Sequence, residues 1–311
     1  MRSNLAFKEP VADLGGGRGV LRGVNRGAKL REVPQPSGGA YLDSVISSTI
    51  FEVDATISDS YSGSGYALNN LTASPADGED QSDYDFYLGT DGIGGHIPTF
   101  TGTPGDSGAY FDYTGANQVV GVLKQFIDSG TSTTFLNSIH KTDQTDLEFW
   151  YAMTIYWPAA VTSGQYRICG NMYSTSEIGF CLNYELGNAR ITLEQASSTV
   201  KVDSYASGIV QGDAWNLFIY SFQKTSGTTG SAKFYLNGNI VTPSLNTFTT
   251  TTETPTKAMT LGSAAGGYSA ELPVGARVVS CAMGNEFLSD SKMGDLEDYL
   301  SAAHSRTYDI T

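Results

Sequence analysis

The chain is poor in the residues on which most enzyme chemistry depends. Its 311 residues include three histidines and three cysteines, and only 16% are charged. Cys169, Cys181 and Cys281 form no CxxC pair and no cluster with histidine, which argues against a zinc site. His96, His140 and His304 lie outside any Gly-x-Ser-x-Gly context, so a serine-hydrolase arrangement has no support. No apolar run approaches the ~18 residues of a membrane helix. The N-terminus lacks the apolar central segment of a signal peptide, so synthesis and folding in a cytoplasm are expected. Basic residues are also scarce. Lysine and arginine total 18 against 32 acidic residues, and the net charge of −14 disfavours binding to nucleic acid.

What the sequence does have is glycine, tyrosine and turn formers. There are 36 glycines and 18 tyrosines, and 40% of residues are hydrophobic, a composition that suits an all-β protein with a sizeable core. The charge is unevenly spread. Residues 1–40 carry seven basic side chains and three acidic ones, whereas the remaining 271 carry eleven basic and 29 acidic. Residues 1–43 therefore read as an extended, basic, glycine-rich arm. Their GGGRG stretch is no phosphate loop, because no Gly-Lys-Ser/Thr follows it. The scattered apolar residues suit an arm that orders against a partner surface. Arg2, Phe7, Lys8, Arg18, Leu21, Arg22, Arg26 and Arg31 are the expected contacts.

Residues 44–311 show about twelve to fourteen short β-like runs separated by turn signals, with no βαβ alternation. Two antiparallel sheets packed face to face, in a jelly-roll or Greek-key order, are the expected architecture. The clearest hairpin is AWNLFIYSFQKTSGTTGSAKFYLNGNIV, residues 214–241. Trp215, Phe218, Tyr220, Phe234 and Tyr235 are expected to wall the inter-sheet core, and Asn237-Gly238 to make a tight corner. One short amphipathic helix is expected from Ser289, its N-cap, through LSDSKMGDLEDYLSAAHS. His304 reads as a surface group near its end. Cys169 and Cys181 sit symmetrically about Thr175 in a hairpin, either as small buried residues or as a disulfide.

Two carboxylate patterns could carry chemistry. The loop region 74–106 holds Asp77, Glu79, Asp80, Asp83, Asp85 and Asp91 interleaved with Tyr84, Phe86 and Tyr87. Asp77, Asp80, Asp83 and Asp85 are a candidate calcium set, set against the plainer reading of a solvated acidic loop. Glu52 with Asp54, and Asp146 with Glu148, are acidic pairs two residues apart on strands, where solvated edge positions are the commoner reading. Asn70-Leu71-Thr72 matches the glycosylation pattern.

Four stretches in order resemble the laminin-G-like branch of the concanavalin A-like lectin/glucanase superfamily, of the kind found in bacteriophage virion proteins. They are FEVDATISDSYSGSGYALNNL, PTFTGTPGDSGAYFDYTGANQVV, GDAWNLFIYSFQKTSGTTGSAKFYLNGNIV, and LGSAAGG with ARVVSCAMGNEFLSDSKMGDLEDYL, spanning about residues 46–304. The glucanases of that superfamily use a Glu-x-Asp-x-x-Glu strand. Here Glu52-Val53-Asp54 is followed by Ile57 in the third position, so no catalysis is expected. The resemblance implies a concanavalin A-like sandwich serving as a non-enzymatic virion protein. Such a protein would decorate or cement a capsid, held to capsid subunits through residues 1–43, with no cofactor unless calcium and no membrane contact. The alternative is a lectin-like tail-fibre or receptor-binding module for host glycans. Self-association is compatible with both. The alternative would be marked by an exposed aromatic patch with converging Asp or Asn groups.

Overall fold

Strands of alternating apolar residues pair into two antiparallel sheets in the computed structural model. It describes residues 41–89, 96–130, 147–158, 165–171, 179–185, 188–194, 200–207, 212–226, 229–241, 243, 245–248, 257–263 and 272–308. The first strands are β1 (Thr49–Asp54), β2 (Ala67–Leu68), β3 (Phe86–Tyr87), β4 (Thr99–Thr101), β5 (Tyr110–Asp112) and β6 (Gly121–Leu123), followed by a short helix α1 (Lys124–Ser129). Next come β7 (Glu148–Trp157), β8 (Gln165–Gly170), β9 (Gly179–Glu185), β10 (Asn188–Glu194), β11 (Val200–Ser207) and β12 (Ala214–Ser226). The chain closes with β13 (Thr229–Leu236), β14 (Asn239–Val241), β15 (Leu245–Phe248), β16 (Thr260–Leu261), β17 (Arg277–Gly284) and helix α2 (Asp290–His304). Strands outnumber the sequence expectation because several span only two or three residues, too few for a period to register.

One sheet runs β14-β13-β12-β7-β17-β5-β4, with β1 also paired to β17; the other runs β15-β11-β10-β9-β8-β16-β6-β3-β2. This is the two-sheet sandwich with a C-terminal helix that the composition and turn spacing predict. Alternation along β7 shows how its first sheet is used. Phe149, Tyr151, Met153, Ile155 and Trp157 enter the core between the sheets, whereas Trp150 and Ala152 belong to a second cluster on the outer face. That outer cluster is closed by Leu288, Met293, Leu296, Tyr299 and Leu300 at and within α2. The first sheet is therefore buried on both faces along its middle.

Helix α2 begins as its sequence predicts. The Ser289 side chain accepts a hydrogen bond from Lys292 N (3.3 Å), and Asp290 lies in the first turn, where the helix dipole favours negative charge. Lys233 Nζ on β13 donates to Asp290 Oδ1 (2.6 Å) and fastens that end to the sheet. Gly284 is required where β17 passes under the outer cluster, because a Cβ there would collide with the Trp150 indole and the Ser48 carbonyl. Asn237 and Gly238 both take positive φ (48° and 84°), forming the expected corner between β13 and β14.

The double burial corrects part of the hairpin reading. Phe218, Tyr220 and Phe234 do enter the inter-sheet core, but Trp215 and Tyr235 face the other way and pack with the outer cluster. Residues 217–222 are apolar or small on both faces, so alternation alone could not assign the side. Cys169, Cys181 and Cys281 are all buried free thiols. Cys169 faces Leu182 and Gly170 faces Cys181 across β8 and β9, so the two cysteines sit diagonally. Burial holds the Cys169 thiol well above its ordinary range and pushes Cys281 up to about 12, which makes both poor nucleophiles.

Phe218→Ala should cost about 3–5 kcal/mol in urea unfolding, as expected for an aromatic removed from a close-packed core. Trp215→Ala, at a half-buried outer position, should cost about 1–2 kcal/mol. Equal losses would mean that Trp215 faces between the sheets after all.

Candidate functional site

The two acids of β1 turn out to be fully buried instead of solvated. All six residues of the strand are inaccessible, and Glu52 and Asp54 project to the face covered by α2. Glu52 Oε1 accepts from the Tyr299 hydroxyl (2.9 Å), and Oε2 accepts from Leu42 N (3.0 Å). Asp54 Oδ2 lies 2.8 Å from His304 Nε2, while Oδ1 accepts from Thr56 N (2.7 Å) and Thr56 Oγ1 (2.6 Å). His304 Nδ1 is 2.7 Å from the Tyr308 hydroxyl. His304 is thus a buried clamp residue, not the surface group its helix-end position suggests.

Electrostatics divides the two acids. Burial, helped by the neighbouring Asp54, pushes Glu52 up to about 8 against the bonds from Leu42 and Tyr299. Burial also raises Asp54, but His304, by charge and hydrogen bond, and Thr56 outweigh it and hold the carboxyl below its ordinary value. Paired carboxylates with separated pKa values are what acid–base catalysis uses. These two, however, have 0% and 1% exposure, so no substrate reaches them where they lie. Their role is to hold α2 against β1. Of the other pair, Asp146 lies outside the described residues, and Glu148 Oε2 accepts from Phe287 N (3.1 Å).

The acidic loop is likewise spent on local structure. Asp77 accepts from the Tyr84 hydroxyl, and Asp85 Oδ1 accepts from Asn70 N (2.9 Å). Asp83 accepts from Asp80 N (3.3 Å) at one oxygen and from Gln125 Nε2 (2.8 Å) at the other. Burial raises both Asp77 and Asp85 above the ordinary carboxylate range. The candidate calcium set, Asp77, Asp80, Asp83 and Asp85, is not gathered as ligands: among the described residues no three His, Cys, Asp or Glu side chains form a metal-holding group. Asn70 is buried, its amide donating to Ile50 O and Gln81 O and its Oδ1 accepting from Glu52 N and Thr72 N. The glycosylation pattern at this residue is therefore a backbone-satisfying core position.

A cleft of about 370 Å³ opens beside this loop between Tyr41, Asp59, Asn69, Gln81, Ser82 and Asp85. Its polar groups largely satisfy one another. Tyr41 donates to Asp59 Oδ2 (2.7 Å), Asn69 Nδ2 to Asp59 O (3.0 Å), and Gln81 Nε2 to Asn70 O (2.7 Å). The Asp59 bond, with burial, raises the Tyr41 phenol to about 12.

A different arrangement lies on the outer face of the first sheet, beyond the end of α2. Trp215 on β12, Tyr156 on β7, Arg277 on β17 and Asp112 on β5 stand in one cross-strand row, each directly opposite the next. Tyr110, two residues before Asp112, shares their face. The rings of Tyr156 and Tyr110 meet Trp215 edge-on at 5.5 and 6.0 Å. The Arg277 guanidinium lies between the tyrosines, 4.7 Å from Tyr156 and 5.0 Å from Tyr110, and Arg306 covers Trp215 at 4.1 Å. Asp213 accepts from the Tyr156 hydroxyl. Trp215, Tyr156, Tyr110, Arg277 and Arg306 are all half-buried, so the layer borders solvent. Sequence reasoning singled out Trp215 and missed the rest, since their strands are joined only by the sheet order.

The contacts expected in the arm, Arg2, Phe7, Lys8, Arg18, Leu21, Arg22, Arg26 and Arg31, lie outside the described residues, as do Asp91 and His140.

The unfolded chain binds no extra proton at Glu52 above its ordinary pKa, whereas the folded chain does up to about pH 8. The stability that Glu52 contributes is therefore full below about pH 4.5 and is lost as pH rises through about 8. Glu52→Gln removes that dependence. The difference in urea-derived stability between wild type and Glu52→Gln should shift by several kcal/mol in favour of the variant from pH 5 to pH 9. A difference that stays flat would show that Glu52 titrates normally.

No protein-family model matches the chain, and no curated protein matches it. Among solved structures, the botulinum neurotoxin serotype D binding domain is similar with a TM-score of 0.52 at 11% identity, over 81% of this chain and 52% of that one. The binding domain of botulinum neurotoxin DC in complex with rat synaptotagmin II is similar with a TM-score of 0.53 at 11% identity, over 82% and 52%. The chain thus spans about half the length of these structures. At this identity the likeness is one of fold: an all-β, two-sheet sandwich.

Proposed function

We propose that this sandwich is a carbohydrate-binding module and that its ligand lies on the Trp215–Tyr156–Tyr110 layer. The observation that carries the reading is the convergence, on one solvent-bordering face, of three aromatic rings with Arg277, Arg306, Asp112 and Asp213. Sugars present apolar C–H faces to aromatic surface and hydroxyls to carboxylates and guanidinium groups, and rigid strands hold such groups in register. The polar cleft beside Tyr41 is a weaker site, because its groups bond to one another and Tyr41 is its sole aromatic. A fold shared with proteins named as binding domains is compatible with the reading and does not decide it. The buried state of Glu52 and Asp54 supports binding without turnover. Capsid decoration through residues 1–43 remains supported by the arm's composition and the family resemblance alone.

The test is a glycan array followed by calorimetric titration of the best hit. Wild type should bind in the micromolar to millimolar range, and Trp215→Ala should lose at least about tenfold in affinity with its fold intact by circular dichroism. Retained affinity in the variant, or no glycan bound at all, would contradict the assignment.

A further inference from the structure

The protein is acidic, yet the aromatic layer is built around cations. Beyond residue 40 there are only four arginines, against 29 acidic side chains. With carboxylates so abundant, an arginine that serves only to stabilise a fold ordinarily ends in a bidentate ion pair. Neither arginine of the layer does. Arg277 Nε approaches Asp112 Oδ1 no closer than 3.9 Å, beyond hydrogen-bond range, and its side chain keeps 37% of its surface exposed. Arg306 makes no ion pair among the described residues. Its Nη2 donates weakly to Gly108 O (3.4 Å), and it acts on the Tyr308 hydroxyl both by charge and by a hydrogen bond, each opposing the upward push of burial on that phenol. Arg277 Nε and Arg306 Nη1 are buried and lack a hydrogen-bond partner, so a ligand would meet the other guanidinium nitrogens. Both guanidiniums instead lie over rings, Arg277 with the Asp112 carboxylate 3.9 Å away and Arg306 with no carboxylate paired to it among the described residues.

We infer that the Trp215 layer is a site for sugars bearing a ring carboxylate, with Arg277 and Arg306 receiving the acid and the rings receiving the sugar's apolar face. This rests on the carbohydrate-binding reading and narrows it to a ligand class. A guanidinium presents paired N–H donors that match a carboxylate, and stacking on an aromatic ring reduces the entropy lost when they bind it. A neutral sugar would leave Arg306 without an anion and Arg277 with only the 3.9 Å contact to Asp112. Of the two nearby acids, Asp213 is engaged by the Tyr156 hydroxyl, and Asp112 meets Arg277 at ion-pair distance (3.9 Å) without a hydrogen bond. Uronic and nonulosonic acids share the required chemistry.

The experiment is a calorimetric titration of the full chain with matched pairs: 3′-sialyllactose against lactose, and a glucuronate disaccharide against its carboxyl-reduced form. At least one acidic member should bind about tenfold or more tightly than its neutral partner, and the preference should shrink with added salt. Arg306→Gln should abolish the preference, lowering affinity for the acidic member far more than for the neutral one, with the fold intact by circular dichroism. Arg306→Lys, which keeps the charge and loses the planar fork, should restore only part of it. Whichever pair shows the preference identifies the source of the carboxylate. Equal binding of acidic and neutral members overturns this inference and leaves the carbohydrate-binding reading standing. Absence of binding to every member, including those found by array, overturns both. A poly-glutamate peptide bound as tightly as the acidic sugars would also overturn it, since the site would then read charge without the sugar.

Discussion

Burying two carboxylates two residues apart on one strand is costly unless each finds a partner, and the first sheet of this protein is organised around meeting that demand. Glu52 and Asp54 both face outward from β1, where solvent would normally receive them. Helix α2 lies there instead, and it brings Tyr299 to one acid and His304 to the other. The two contacts are five residues apart on the helix, so together they set both its position along the sheet and its rotation. Glu52, held up to about 8, is mostly neutral at pH 7, and its Oε1 can still accept from the Tyr299 hydroxyl (2.9 Å) in that form. Asp54 stays charged against His304. One neutral and one charged contact avoid placing two uncompensated anions side by side.

The helix so placed has two consequences. It seals Trp150, Ala152, Leu217 and Ile219 from water, giving the first sheet a second apolar layer in addition to the one shared with the opposite sheet. It also decides where the chain goes next. Ser305 caps the helix in the left-handed region (φ 49°), and the reversal delivers Arg306 onto the Trp215 indole. His304 Nδ1 meets Tyr308 on the far side of that turn, so the short segment carrying Arg306 is anchored at both ends. The buried clamp and the aromatic layer are thereby parts of one construction: the former fixes a cation that the latter uses.

The sequence displayed the features that depend on near neighbours. Asn237-Gly238 fixes a corner through its own backbone preferences, Ser289 caps a helix by accepting from a backbone N–H three residues on, and alternation in β7 and β12 marks long core strands. It concealed what depends on distant ones. Glu52 and Tyr299 are 247 residues apart, and Asp54 and His304 are 250 apart, so nothing local distinguishes them from solvated groups. Trp215 was visible as a large side chain in a strand, but in a strand buried on both faces the period of two does not say which face is which. Tyr110, Tyr156 and Arg277 are brought to one face with Trp215 only through the order β12-β7-β17-β5, which joins segments far apart in the chain.

The measurement that bears most directly on this account uses the three indole N–H groups. Trp150 and Trp157 are fully buried, and Trp215 alone borders the layer. In a ¹H–¹⁵N spectrum, assigned by the single variant Trp215→Phe, titration with a bound glycan should move the Trp215 indole signal progressively to saturation and leave the other two in place. A glycan that binds while the Trp215 signal stays still would place the ligand elsewhere on the sandwich and contradict the account.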